Sequence, residues 1–253
     1  MHLLRRLIIW SIPVFWIAAM ELMRSSQSWW WLIIICLLVY FFLVLGFVCR
    51  LSFNKNFWHF LILPLLTTLA AWLCLIFFVD TLYFHLVSVG VGLLLYFLIN
   101  QYYLYFYVPF KYQPYSLESL SLYVSILAAL FFLVASFGSL ILLQIAKHWL
   151  VLALLVFFFL LTYQYFWINK HNWSKSWIFV LVIVLLIVEL FVVTAYLPTG
   201  YYVNSLIITV VYYLTLGISK QSLSGNLSKK KIAGFLIVGG LCLLLVLISA
   251  RWD

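Results

Sequence analysis

The stretch SWIFVLVIVLLIVELFVVTAYL, residues 176–197, holds a single charged side chain, Glu189, in a run that is otherwise uncharged and mostly apolar. A helix crosses the hydrocarbon core of a bilayer with roughly 20 mostly apolar residues. Backbone polar groups cannot stay unpaired in lipid, so a continuous run of this length predicts a transmembrane helix.

Eight further runs of the same kind occur along the chain. They lie at 7–23, 29–49, 57–79, 82–99, 120–143, 148–168, 201–218 and 232–250. The composition agrees, because 68% of the 253 residues are hydrophobic and only 8% are charged, whereas soluble domains average about 25% charged residues. The sequence predicts an all-α fold: a polytopic integral membrane helix bundle of about nine transmembrane helices, forming a single domain over 1–253.

The basic residues predict the orientation, since cytoplasmic loops of membrane proteins carry an excess of Lys and Arg. With the amino terminus in the cytoplasm, 11 of the 14 basic residues fall on the inner side. The inner set is Arg5, Arg6, Arg50, Lys55, Lys111, Lys170, Lys175, Lys220, Lys229, Lys230 and Lys231, and the outer set is Arg24, Lys147 and Arg251. We therefore expect a cytoplasmic amino terminus, an external carboxyl terminus and a membrane of the bacterial plasma-membrane type.

The same distribution accounts for the net charge of +9. Basic residues that flank membrane spans on one side are explained by insertion, so a nucleic-acid partner is not expected. The expected partner is the lipid bilayer, while the sequence does not specify a protein partner. The triplet Lys229, Lys230 and Lys231 before the last span is a candidate contact for anionic lipid, at about 1 kcal/mol per residue near the surface.

One long inner connection, 100–119, is rich in tyrosine. Aromatic side chains with polar tips settle at the headgroup level of a bilayer. We expect the fourth helix to continue into this segment, followed by an interfacial stretch that Pro109 and Pro114 interrupt.

Glu189 is the most informative single residue, because an acidic group near the centre of a bilayer costs about 2.5–3.5 kcal/mol on insertion scales. It lies about two residues from the middle of its apolar run, which is about 3 Å along a helix. The sequence predicts that its side chain faces the bundle interior or water. The polar side chains available to it within spans are His85, Asn204, Thr209, Tyr212 and Tyr213.

A second group of polar residues lies at the predicted outer ends of the helices. Asp80 and His85 flank the turn before the fourth span, and a carboxylate with an imidazole is a pair suited to acid–base chemistry. The sequence favours the plainer role for Asp80, in which it caps the helix that follows it. Glu21 and Arg24 are spaced to pair locally on the first helix, and Lys147 and His148 mark the turn before the sixth span.

These residues leave three hypotheses open. The protein handles a proton or small solute through Glu189; it is a membrane-embedded enzyme in which Asp80, His85 and Glu189 converge on a lipid-linked substrate; or it is a non-catalytic assembly or accessory protein. The cysteines are scattered and no nucleotide-binding, haem-attachment or zinc-protease motif occurs, so neither a cofactor nor a metal site is expected. The sequence favours solute handling slightly and does not favour an enzyme.

Overall fold

The computed structural model describes residues 2–25, 29–48, 55–225 and 228–249, and this part of the chain is all-α. Nine α-helices lie within it: α1 His2–Ser25, α2 Trp30–Val48, α3 Lys55–Leu75, α4 Thr81–Tyr107, α5 Ser116–Ile141, α6 Lys147–Ile168, α7 Trp173–Thr194, α8 Tyr201–Leu223 and α9 Lys229–Ser249. The first eight are long and apolar enough to cross a membrane. The fold is therefore compatible with a multi-pass membrane protein.

The helix bounds follow the apolar runs, with two informative departures. Helix α4 continues to Tyr107, past the end of its predicted span, and a 3-10 turn at Pro109–Lys111 follows it. The predicted extension of the fourth helix into the tyrosine-rich segment is thus confirmed. The apolar part of α9, Ile232–Ile248, is shorter than the other eight spans, so the ninth crossing stays a prediction.

Contacts between helices divide the chain into two compact units, Met1–Ser125 and Ile126–Asp253, here called unit 1 and unit 2. In unit 1 the consecutive helices α1, α2, α3 and α4 pack in order, and α1 also packs along α4. Trp16 is fully buried in that contact and its indole N–H donates to the Ser88 carbonyl at 2.9 Å. Gly92 brings the α4 backbone against Trp16 and Pro13.

In unit 2, α6 packs on α7, α7 on α8, and α8 on α9. Aromatic rings pack between helices of this unit: Phe132 of α5 stacks on Phe157 of α6 with ring centres 3.9 Å apart, and Phe158 of α6 meets the edge of Tyr212 of α8 with ring centres 5.1 Å apart. Stacked and edge-to-face pairs of this kind add about 0.5–1.5 kcal/mol beyond the burial of their area.

Several buried hydroxyl groups bond to the backbone of their own helix. Each donates to the carbonyl four residues earlier, as in Thr67 to Leu63, Thr68 to Pro64, Ser136 to Phe132 and Thr209 to Ser205. These four hydroxyl groups therefore satisfy their hydrogen bonds within their own helices. Cys49, Arg50 and Arg251, which entered the sequence interpretation, lie outside the described residues, as does the Lys55 side chain.

Candidate functional site

The α1–α4 contact carries a histidine–carboxylate pair near the end of unit 1 that holds Asp80, called here the Asp80 end. Glu21 on α1 and His85 on α4 approach to 2.7 Å between carboxylate Oε1 and imidazole Nδ1. Their side chains are 45% and 47% exposed. A pair as exposed as this contributes little to the stability of the fold.

A second link lies at the same end. The Arg24 guanidinium donates through Nη2 to the Thr81 hydroxyl at 2.6 Å and lies 5.2 Å from the centre of the Phe84 ring. Asp80 caps α4 by accepting a hydrogen bond from the Leu82 amide at 3.4 Å. Asp80 therefore takes the capping position that its place before a helix predicts.

These contacts correct one prediction from the sequence. Glu21 and Arg24 do not pair with each other, because α4 lies alongside α1 and offers each of them a separate partner. Spacing along a helix identifies local partners only, whereas the neighbouring helix decides between local and tertiary contacts. The sequence of α1 does not indicate that α4 is its neighbour.

Two other polar residues predicted at the outer rim belong to unit 2. The Lys147 ammonium donates to the Val192 carbonyl at 3.3 Å and lies 4.1 Å from the centre of the Tyr196 ring. It thereby places positive charge at the carboxyl end of α7, where the helix dipole favours it. His148 is exposed and its ring lies 5.3 Å from that of Trp149.

Glu189 is exposed on α7, so of the two environments expected for it, the bundle interior and water, the packed interior of unit 2 is not the one it occupies. The face of α7 that packs on α6 and α8 carries Ile183, Ile187 and Phe191, all buried. On the opposite face, exposed residues recur every three or four positions, which is the spacing of residues on one side of a helix. This face consists of Ile178, Val182, Leu185, Glu189 and Val193, all exposed, and is called here the Glu189 face.

The position of Glu189 along the helix also differs from the sequence estimate. Asn172 caps α7 through the Ser174 amide, so the helix begins at Trp173 and ends at Thr194. Its midpoint falls between residues 183 and 184, and Glu189 lies about 8 Å beyond that point at about 1.5 Å per residue. The carboxyl group is therefore within the span but nearer the carboxyl end of α7, where Lys147 of α6 binds the Val192 carbonyl.

The polar partners expected for Glu189 in unit 2 are engaged elsewhere. Asn204 bonds to Thr199, which is itself buried, and the Tyr212 hydroxyl lies 3.3 Å from that of Thr162. Thr209 donates to its own helix, and the ring of Tyr213 packs on that of Phe235, with ring centres 6.3 Å apart. Within the described residues Glu189 has neither a hydrogen bond nor an ion pair.

The structure also reveals a polar group that the sequence interpretation missed. Gln164 on α6 is fully buried, and both atoms of its amide lack a hydrogen-bond partner among the described residues. The adjacent Tyr165 hydroxyl is likewise buried without one. The signal for both was a glutamine within the aromatic run LLTYQYFWI, residues 160–168.

His171, in the connection between α6 and α7, has a buried Nε2 without a hydrogen-bond partner among the described residues. Burial lowers the pKa of this imidazole, and the positive charge of Lys220 lowers the pKa further. Both effects favour the neutral form of the His171 imidazole.

Of the basic triplet before α9, the side chains of Lys229 and Lys230 are exposed, whereas that of Lys231 lies outside the described part of the chain. Contact of this triplet with anionic lipid stays a prediction. Among the described residues, no group of three or more His, Cys, Asp or Glu side chains is arranged to hold a metal ion.

Comparison with known proteins gives no assignment: no protein-family model, curated protein or solved structure matches the chain.

Proposed function

We propose that this chain is an assembly subunit, a membrane protein that binds the transmembrane helix of another membrane protein through the Glu189 face. The supporting observation is the exposure of Glu189 within an apolar helix face that unit 2 leaves uncovered. Intramembrane acidic residues are expensive and mark functional contacts by default. A partner helix that hydrogen-bonds the carboxyl group lowers the free-energy cost of holding it in the bilayer.

The composition of the face favours a helix over an aqueous ligand. Glu189 is flanked by Leu185 and Val193, whose side chains are 56% and 62% exposed. Apolar side chains on both sides of a single carboxyl group match a partner helix with one polar residue at the corresponding depth. Polar contacts of this kind contribute about 0.6 kcal/mol on average between membrane helices, and more in model peptides.

Charge complementarity indicates the chemistry of the partner. A two-fold contact between two copies of α7 would bring two Glu189 carboxyl groups together without a basic partner, whereas a Lys, Arg or His side chain pairs with a carboxylate. The only charge on the exposed part of α7 near this depth is negative. We therefore assign as the partner a transmembrane helix of a different protein that carries Lys, Arg or His.

Solute handling, the other hypothesis built on Glu189, needs this side chain to face a polar path inside the protein. Its exposure on α7 favours assembly over that hypothesis. For the enzyme hypothesis, Asp80 caps helix α4 and His85 contacts the Glu21 carboxylate. These contacts favour a structural role for both residues over a catalytic one.

The orientation is part of the proposal. A cytoplasmic amino terminus, nine crossings by α1 to α9 and an external carboxyl terminus in a bacterial-type plasma membrane agree with the distribution of basic residues. An alkaline phosphatase fusion after residue 253 tests this arrangement. Activity of the fusion supports it, whereas an inactive fusion that is expressed at the same level contradicts it.

Photo-crosslinking in the native membrane tests the assembly proposal. The variant Leu185→p-benzoylphenylalanine places the probe on the Glu189 face, and Val156→p-benzoylphenylalanine is the control. Val156 is 56% exposed on α6 and lies nine residues from the Lys147 end of its helix, as Leu185 lies nine residues from the end of α7. The two probes therefore sit at matched depth.

The expected result is a protein adduct from position 185 alone, with the crosslink mapping to a transmembrane segment that contains Lys, Arg or His. Adding Glu189→Leu should abolish the adduct. Adducts with lipid alone, adducts with a second copy of this chain, or an adduct that persists in Glu189→Leu would each contradict the proposal.

A further inference from the structure

One end of unit 2 is rich in lysine and is called here the lysine end. Helices α6, α7, α8 and α9 pack consecutively, and the connections 169–172, 195–200 and 224–228 between them are short. The end of α6, the start of α7, the end of α8 and the start of α9 therefore lie together. The lysines of these segments are Lys170, Lys175, Lys220, Lys229, Lys230 and Lys231.

An electrostatic contact shows that the two lysine-bearing connections adjoin each other. Lys220, near the end of α8, lies close enough to His171 in the α6–α7 connection for its positive charge to lower the pKa of that imidazole. Lys170 is the neighbour of His171 along the chain, and its side chain is exposed. Because α9 packs on α8, the exposed Lys229 and Lys230 extend the same surface.

Unit 2 does not neutralise this charge. Among its described residues the one acidic side chain is Glu189. Glu189 lies sixteen residues after Trp173, the first residue of α7, which is about 24 Å along the helix at about 1.5 Å per residue. At physiological ionic strength, exposed charges are screened over about 8 Å. The lysine end is therefore positively charged without a carboxylate from its own unit.

Two exposed tryptophans indicate the depth of this end in a membrane. Trp173 and Trp177 are four residues apart at the start of α7, so they lie on one side of it, and they are 46% and 44% exposed. Tryptophan side chains settle at the boundary between the hydrocarbon core and the headgroups. Lys170 and Lys175 flank Trp173 along the chain, so their ammonium groups lie within reach of lipid phosphates.

We infer that the lysine end of unit 2 is a binding surface for anionic phospholipid. The ammonium groups of Lys170, Lys175, Lys229 and Lys230 contact the phosphate oxygens, and the two tryptophans lie against the upper part of the acyl chains. The tryptophans favour a lipid over an acidic protein segment as the source of negative charge. Membrane insertion explains on which side of the bilayer the lysines lie, whereas lipid phosphate supplies the charge that they meet after folding.

This surface lies at the opposite end of α7 from Glu189, and the inference does not depend on the Glu189 face. It combines the lysines before α9 with those of a separate connection, which the folded unit brings to one end. The exposure of Trp173 and Trp177 beside them is the second observation that points to a lipid.

Native mass spectrometry of the full chain in a non-ionic detergent tests the inference, because it counts bound lipids one by one. The probe is dioleoylphosphatidylglycerol, and dioleoylphosphatidylcholine is the comparison lipid with the same acyl chains. Glycerol 3-phosphate carries the phosphate without the chains. We expect the first phosphatidylglycerol to bind more tightly than phosphatidylcholine, and we expect glycerol 3-phosphate not to displace it.

Paired substitutions locate the binding surface. Lys170→Gln with Lys175→Gln, and separately Lys229→Gln with Lys230→Gln, should each weaken the binding of the first phosphatidylglycerol by about tenfold, since each lysine near an anionic surface contributes. The matched control is Arg6→Gln with Lys111→Gln, which removes two exposed basic residues of unit 1 on the same predicted side of the membrane. The control should leave the binding nearly unchanged.

One variant separates binding from folding. Lys170 has a φ of 58°, a left-handed conformation that glycine adopts without strain. Lys170→Gly therefore removes the charge and suits the turn after α6. It should melt no lower than the native chain and yet bind phosphatidylglycerol more weakly.

Four outcomes would overturn the inference. Equal binding of the two lipids means that charge is not recognised, and an equal loss in the control pair means general attraction to a basic protein. Displacement by glycerol 3-phosphate means a site for free phosphate. Unchanged binding in both lysine pairs means that these side chains serve another partner, such as an acidic protein segment.

Discussion

Replacing Gly92 by valine should destabilise unit 1, because this glycine sets the distance between α1 and α4. A Cβ atom built at position 92 lies 3.2 Å from Trp16 Cδ1 and 3.4 Å from Pro13 Cα. Valine adds two methyl groups beyond that Cβ, in a place where Trp16 is fully buried. Forcing extra carbon atoms into a packed contact costs typically about 1–3 kcal/mol.

The expected loss translates into a fall of about 2–12 °C in melting temperature, at about 2–4 °C for each kcal/mol in a chain of this size. The matched control is Gly90→Val, two residues away on the same helix, where a new Cβ meets nothing within 4 Å. Both variants change the intrinsic helix propensity equally. The difference between them therefore isolates the packing against α1.

Thermal unfolding of the purified protein in dodecyl maltoside, followed by circular dichroism, measures this difference. A double-mutant cycle with Trp16→Phe adds a second readout, since residues in contact couple by about 0.5–3 kcal/mol. If Gly92→Val and Gly90→Val melt at the same temperature, the α1–α4 contact described here is wrong. If the losses of stability caused by Gly92→Val and Trp16→Phe simply add in the double mutant, that result would also contradict the α1–α4 contact.

Three further predictions concern helix ends and one titrating group. Asp80→Ala should lower the free energy of unfolding by about 0.5–2 kcal/mol through loss of the α4 cap, and Asp80→Asn should restore most of it; equal losses would contradict the capping role. Lys147→Met should cost about 0.3–1 kcal/mol by removing the cation from the carboxyl end of α7, whereas Lys147→Arg should cost less; equal melting temperatures would contradict that contact. The pKa of His171 is lowered in the folded protein, so the fold favours the neutral imidazole and should lose stability as the pH falls below about 6.5. Between pH 7.5 and 5.5 the melting temperature of His171→Gln should therefore fall less than that of the native chain, and an identical fall would contradict the buried environment of Nε2.

Much of the fold is predictable from the sequence because the bilayer imposes one simple rule on each span. Continuous apolar runs identify the helices, and Asp80 before a run identifies a cap. The extension of α4 to Tyr107 is likewise predictable, since tyrosines extend a helix into the headgroup layer without breaking it. Each of these inferences needs only local sequence.

Lateral packing is not predictable in the same way. Apolar side chains cover all sides of the spans, so the sequence carries little information on which face meets which neighbour. The α1–α4 contact depends on Gly92 accepting Trp16, a match of shapes that no periodic pattern reveals. The same limit explains why the sequence left Glu189 facing either the bundle interior or water, and why it indicated a local pair of Glu21 with Arg24.

Spin-label accessibility at position 189 tests the central claim most directly. Glu189→Cys in a chain whose Cys36, Cys49, Cys74 and Cys242 are replaced by alanine carries a nitroxide, and the purified protein is reconstituted into bilayers. We predict high accessibility to oxygen and low accessibility to a nickel chelate, which is the pattern of a side chain that faces lipid when its partner is absent. Low accessibility to both reagents would place residue 189 in a packed interior, and high accessibility to the nickel chelate would place it in a water-filled path; either result contradicts the account.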